Sequence, residues 1–106
     1  MANWENVKIK GIARIEKCVA EFDIYELNKT PYAKFKVKIY ADSNRRFIGY
    51  TNLRIKDSAG DACGGVGHGN TMEEALEDTV LYFLKMLDQK ETWCEEDFEY
   101  ADPYDF

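Results

Sequence analysis

Four residues carry the obvious reactive atoms of this sequence: Cys18, Cys63, Cys94 and His68. Cys63 and His68 would supply a thiol nucleophile and a base, and all four together would supply a three-cysteine, one-histidine zinc set. Their spacing argues against both. A nucleophile and base need hydrogen-bond reach plus an orienting group, and no C-x₂₋₄-C knuckle is present to start a zinc site. An odd, widely spaced cysteine set also makes a disulfide framework a poor reading, so the thiols are expected reduced, as small apolar residues. His68 reads as a turn or surface residue.

The segment Gly64-Gly65-Val66-Gly67-His68-Gly69-Asn70-Thr71 comes close to the phosphate loop G-x-x-x-x-G-K-[ST], but Asn70 stands where the lysine is required. It also fails G-x-G-x-x-G, and Glu73, Glu74 and Glu77 crowd the helix start where an anion would sit. A structural strand-to-helix loop is expected, with no cofactor. Glu95, Glu96 and Asp97 are adjacent, so their carboxylates do not converge on one helical face, and no calcium-loop pattern occurs. The expectation is a chain with no catalytic residue, no metal and no cofactor.

Charge gives a more informative signal. Residues 1–56 hold twelve Lys/Arg against six Asp/Glu, net +6, whereas residues 57–106 hold two against fourteen, net −12, leaving −6 overall. A basic face of Lys34, Lys36 and Lys38, joined by Lys8, Lys10, Arg54 and Lys56, with Tyr32, Tyr40 and Tyr50 for stacking, fits a single-stranded nucleic-acid binder. The acidic half fits the opposite partner: a protein with a basic channel, to which carboxylates imitate the phosphates of DNA. The candidate contacts are Glu95, Glu96, Asp97, Glu99, Asp102 and Asp105, with Trp93, Phe98, Tyr100 and Tyr104 as aromatic anchors. A third possibility is that the tail folds over the basic sheet within or between subunits, which allows a homodimer.

The elements that must position these groups follow from periodicity. Val7, Ile9, Ala13 and Ile15 read as a half-buried strand; after Glu16-Lys17 the phase flips to Cys18, Ala20, Phe22 and Ile24, which calls for a bulge or reversal. Ala33 to Ala41 alternates most cleanly, Arg46 to Lys56 forms a third segment, and Ala62 to Val66 adds a short edge strand. Thr71-Met72-Glu73-Glu74 is a capping box opening a helix to about Gln89, with Leu76, Val80, Phe83, Leu84 and Leu87 on its apolar face. Thr92 and Glu95 repeat the pattern before a short second helix. One α+β domain results: a basic antiparallel sheet over 1–66, three to five strands, one face covered by a long helix over 71–89, and a short acidic helix or tail over 92–106.

The run Gly67-His68-Gly69-Asn70-Thr71-Met72-Glu73-Glu74-Ala75-Leu76-Glu77 resembles the strand-to-helix junction G-x-T-x-E-E-A-L-E of HicB-like antitoxin domains. That resemblance implies a small sheet with helices on one face and a toxin partner. The whole layout, an antiparallel sheet, one long helix and an aromatic-acidic end, is similar to small phage or mobile-element inhibitors, anti-CRISPR proteins in particular. It implies a viral protein acting in the bacterial cytoplasm as a DNA mimic on a defence nuclease. No secretory h-region or membrane-length apolar run is visible, in keeping with a cytoplasmic setting.

Overall fold

A computed structural model describes residues 3–106. Four strands run as an antiparallel meander: β1 (Lys17–Tyr25), β2 (Lys34–Ala41), β3 (Phe47–Lys56) and β4 (Ala62–Gly69), hydrogen-bonded in the order β1-β2-β3-β4. Helix α1 (Met72–Leu87) follows, and a three-residue strand β5 (Phe98–Tyr100) pairs antiparallel with β3. The chain is an α+β domain with a five-strand antiparallel sheet and one 16-residue helix packed against it.

β2 is the centre of the sheet chemistry. Phe35, Val37, Ile39 and Ala41 are buried on the helix side, while Lys34, Lys36, Lys38 and Tyr40 stand on the other face, because successive strand residues alternate. The helix presents Ala75, Thr79, Phe83 and Leu87 as its buried spine, four residues apart, and Leu76, Val80 and Leu84 flank it. Phe83 meets Phe35 with ring centroids 4.9 Å apart. Thr79 is buried with its hydroxyl donating to the Ala75 carbonyl at 2.6 Å, so its polar atom is satisfied inside the helix. The Thr71 half of the expected capping box forms at the helix start: Thr71 Oγ1 accepts from the Glu74 amide at 3.1 Å, while the Glu74 carboxylate reaches one residue past the cap, to the Asn70 N–H at 2.9 Å.

The glycine run is strand, not loop. β4 extends through Gly69, and Gly65, Gly67 and Gly69 alternate onto the face beneath α1. A Cβ built on Gly67 would lie 2.6 Å from Thr79 Cα, one on Gly65 2.8 Å from Phe83 Cβ, and one on Gly69 2.5 Å from the Ala75 nitrogen. Glycine here lets the helix backbone settle directly on the strand, which is why β4 and β3 carry most of the helix contact.

Two other expectations change. Residues 7–15 form no strand: their main chain has no sheet partner among the described residues, and Gly11 at φ 91° turns the arm so that the Ile12 N–H bonds the Ile9 carbonyl at 3.1 Å. The phase shift lies within β1, between Cys18 and Ala20, rather than at Glu16-Lys17. Cys18 therefore stands opposite Tyr40 on the outer face, while Ala20, Phe22 and Ile24 pack toward the core. No helix among the described residues is long and apolar enough to cross a membrane.

Candidate functional site

The acidic tail is built onto the sheet. At the end of α1, Trp93 Nε1 donates to the Leu87 carbonyl at 2.9 Å, and its ring meets Phe98 at a centroid distance of 5.4 Å. The expected Thr92–Glu95 cap and second helix are absent. A single 3-10 turn over Glu95–Asp97 takes their place, held by the Asp97 carboxylate, which accepts from the Cys94 N–H at 2.9 Å. Three residues are too few to commit to an α-helix once Phe98 is drawn into the core. Phe98 is 8% exposed and lies opposite Ile55 of β3.

Asn52 is the branch point that seats this strand. Its main-chain oxygen accepts from the Ala101 N–H at 2.7 Å, while its side-chain oxygen accepts from the Lys36 N–H at 2.7 Å. One residue thus satisfies β2 and the tail, where β3 passes from one neighbour to the next along the same edge. Beyond Ala101 the chain turns: the Asp105 N–H bonds the Asp102 carbonyl at 2.8 Å, and the Tyr104 N–H bonds Asp102 Oδ1 at 2.9 Å. The far side of the turn is anchored by the Phe106 main-chain oxygen, which accepts from Lys38 Nζ at 3.1 Å and the Tyr40 hydroxyl at 3.0 Å. Lys38 also lies 4.6 Å from the Phe106 ring centroid.

The predicted contact residues therefore separate by position. Phe98 is core and Trp93 is half-buried against it, so neither presents a free anchor. Glu95 accepts from the Tyr32 hydroxyl at 3.2 Å, and Asp97 lies 3.4 Å from Lys90. Tyr100 is 45% exposed, with partial burial raising its hydroxyl pKa. Glu96, Glu99, Asp102 and Asp105 are exposed, and Tyr104 is 99% exposed at the tip of the turn. Asn52, Tyr40 and Phe106, which pin this arrangement, carry no motif that would mark them; the interleaved aromatics of the tail were the only signal that it docks.

The basic face is largely answered from within. Lys34 and Lys36 lie 3.4 and 3.1 Å from Asp23, and Lys36 and Lys38 lie 4.0 and 3.9 Å from Glu21. The Lys36 ammonium bonded to Asp23 holds that carboxyl below its ordinary range and raises the lysine in return. Arg54 stands opposite Glu99 of β5, and Lys56 closes β3 opposite Ala62. Cys18 and Cys63 sit on the two edge strands of the meander, and Cys63 and His68 point to opposite faces of β4. Among the described residues no group of three or more His, Cys, Asp or Glu is placed to hold a metal.

No protein-family model, curated protein or solved structure matches this chain.

Asp97 gives a pH expectation. The Cys94 N–H, the Cys94 thiol and Lys90 favour its ionised form, so its folded pKa is depressed. The stabilisation is complete above the ordinary carboxylate range and is lost as pH falls through the folded value. Asp97→Asn is expected to be less stable than the parent at neutral pH, with the gap closing as the medium is acidified. Urea midpoints measured from about pH 6 down to about pH 2 check this, and a gap that stays constant would count against the assignment.

Proposed function

We propose that this chain is a non-catalytic protein-binding domain that occupies the basic, nucleic-acid-binding surface of a bacterial defence nuclease, as a phage-type inhibitor working in the host cytoplasm. The observation that carries the reading is the Asp102–Asp105 turn: a fully exposed tyrosine between two exposed carboxylates, fixed on one side by Ala101–Asn52 and on the other by Phe106 with Lys38 and Tyr40. An aromatic anchor held by its scaffold loses less entropy on binding, and the flanking acids supply steering and register. Glu96 and Glu99 add two further exposed carboxylates to the same tail. The alternative of nucleic acid on the sheet face is disfavoured by the pairing of Lys34, Lys36 and Lys38 with Asp23, Glu21 and Phe106.

A competition measurement tests this. Titrating the protein into a CRISPR effector nuclease bound to a fluorescent DNA duplex is expected to release the duplex. The triple variant D102N/Y104A/D105N, which keeps an Oδ1 acceptor for the turn, should need at least about tenfold more protein. Equal potency of parent and variant, or no release by the parent, would remove the support for this reading.

A further inference from the structure

We propose that the N-terminal arm is an unfilled strand whose partner is the β1 edge of a second copy of this chain. This inference is independent of the tail.

The sheet has two edge strands, and they are treated differently. On β4 the Asp78 carboxylate accepts from the His68 N–H at 2.9 Å, and just beyond the strand Glu74 accepts from the Asn70 N–H at 2.9 Å, so helix side chains occupy main-chain donors along that edge. β1 is a nine-residue edge strand, and among the described residues no side chain accepts from its N–H groups. An open edge of that length is a template for another strand.

The arm is the matching piece. Among the described residues the main chain of 8–16 makes one hydrogen bond, Ile12 N–H to the Ile9 carbonyl, and Ala13 and Arg14 are exposed. The molecule is elongated: the radius of gyration is 15.6 Å and the long axis 52 Å, against about 13 Å for the radius of a compact chain of this length. Residues 12–16 lead into β1 with no turn between them, so they do not fold back on their own strand. In a two-fold pair they lie along the other copy's β1 instead.

Charge chooses the register. Pairing β1 with β1 about Phe22 would set Glu21 against Asp23 twice, which is repulsive. Sliding the pair so that Arg14 faces Glu21 of the second copy removes that conflict; with the bulge between Cys18 and Ala20 kept in each β1, the two-fold passes beside Lys17, whose exposed, flexible ammonium turns to solvent. Ala13 then faces Phe22 and Ile15 faces Ala20, joining the side of β1 that packs toward the core. The symmetry gives each contact twice, and the two sheets become one.

Sedimentation or light-scattering mass settles the matter. The parent is expected at twice the 12.3 kDa of one chain when loaded at about 100 µM, dissociating on dilution. Ala13→Pro with Ile15→Pro removes two amide donors that make no hydrogen bond among the described residues, and should give a monomer with unchanged far-UV circular dichroism. Arg14→Glu should weaken the dimer at least about tenfold. A parent that is monomeric at the highest loading, a proline variant that stays dimeric, or an Arg14→Glu dimer as tight as the parent would each overturn the proposal.

Discussion

Gly67→Ala is expected to lower the thermal midpoint by about 15 °C, the equivalent of about 3 kcal/mol in a domain of this size. The new methyl would point at the Thr79 main chain, 2.6 Å from its Cα, and a helix backbone has no rotamer with which to give way. Relief requires α1 to lift from β4, and the same displacement loosens Phe83 on Phe35 and Leu87 in the core. Gly64→Ala makes the control: it lies in the same strand on the other face, and its Cβ would meet the Thr51 side chain at 3.0 Å without touching the helix. A smaller loss at Gly64 than at Gly67, measured by calorimetry, is the expected pattern. Equal losses would mean that strand propensity, and not helix approach, is what glycine serves in β4.

That pair of residues also shows what the sequence could and could not disclose. β2 was legible because its apolar residues alternate with Lys34, Lys36, Lys38 and Tyr40, and the helix start was legible because Thr71 and Glu74 cap by side chains that sequence displays. β4 was misread beyond Val66 because a glycine has no side chain to show which face it occupies. An alternation of Gly65, Gly67 and Gly69 therefore looks like a flexible loop until the helix above it is seen. The arm failed in the reverse way: Val7, Ile9, Ala13 and Ile15 have the period of a strand, but a strand also needs a neighbour, and none lies among the described residues.

The charge division needs the same correction in space. The net +6 of residues 1–56 does not make a free basic surface, since Glu21 and Asp23 of β1 stand beside Lys34, Lys36 and Lys38, and the tail ends on Lys38. The acidic half is also partly engaged: Glu74 and Asp78 cap main-chain donors, Asp88 meets Lys29 at 3.0 Å, and Asp97 holds its own turn. Exposed acids remain on the tail, at Glu96, Glu99, Asp102 and Asp105, and on or just after the helix, at Glu73, Glu77 and Glu91; the tail sets the almost fully exposed Tyr104 among them.

Phe98→Ala is expected to cost about 3–5 kcal/mol, while Tyr104→Ala should leave stability within about 0.5 kcal/mol of the parent. Both are tail aromatics, six residues apart, but Phe98 is 8% exposed against Trp93 and β3, whereas Tyr104 is 99% exposed. Truncating Phe98 opens a cavity beneath β3 and frees β5, and with it the Ala101–Asn52 bond that leads into the turn. Denaturation curves for the two variants give the contrast directly; a Phe98→Ala protein as stable as the parent would mean that the tail is not part of the fold. The contrast also dictates how binding must be tested. Deleting residues 95–106 would remove a core side chain together with the acidic turn, and a lost activity could then reflect unfolding. Substitutions confined to Asp102, Tyr104 and Asp105 leave Phe98 in place, so a loss of binding in a protein with unchanged stability assigns the contact to the turn itself.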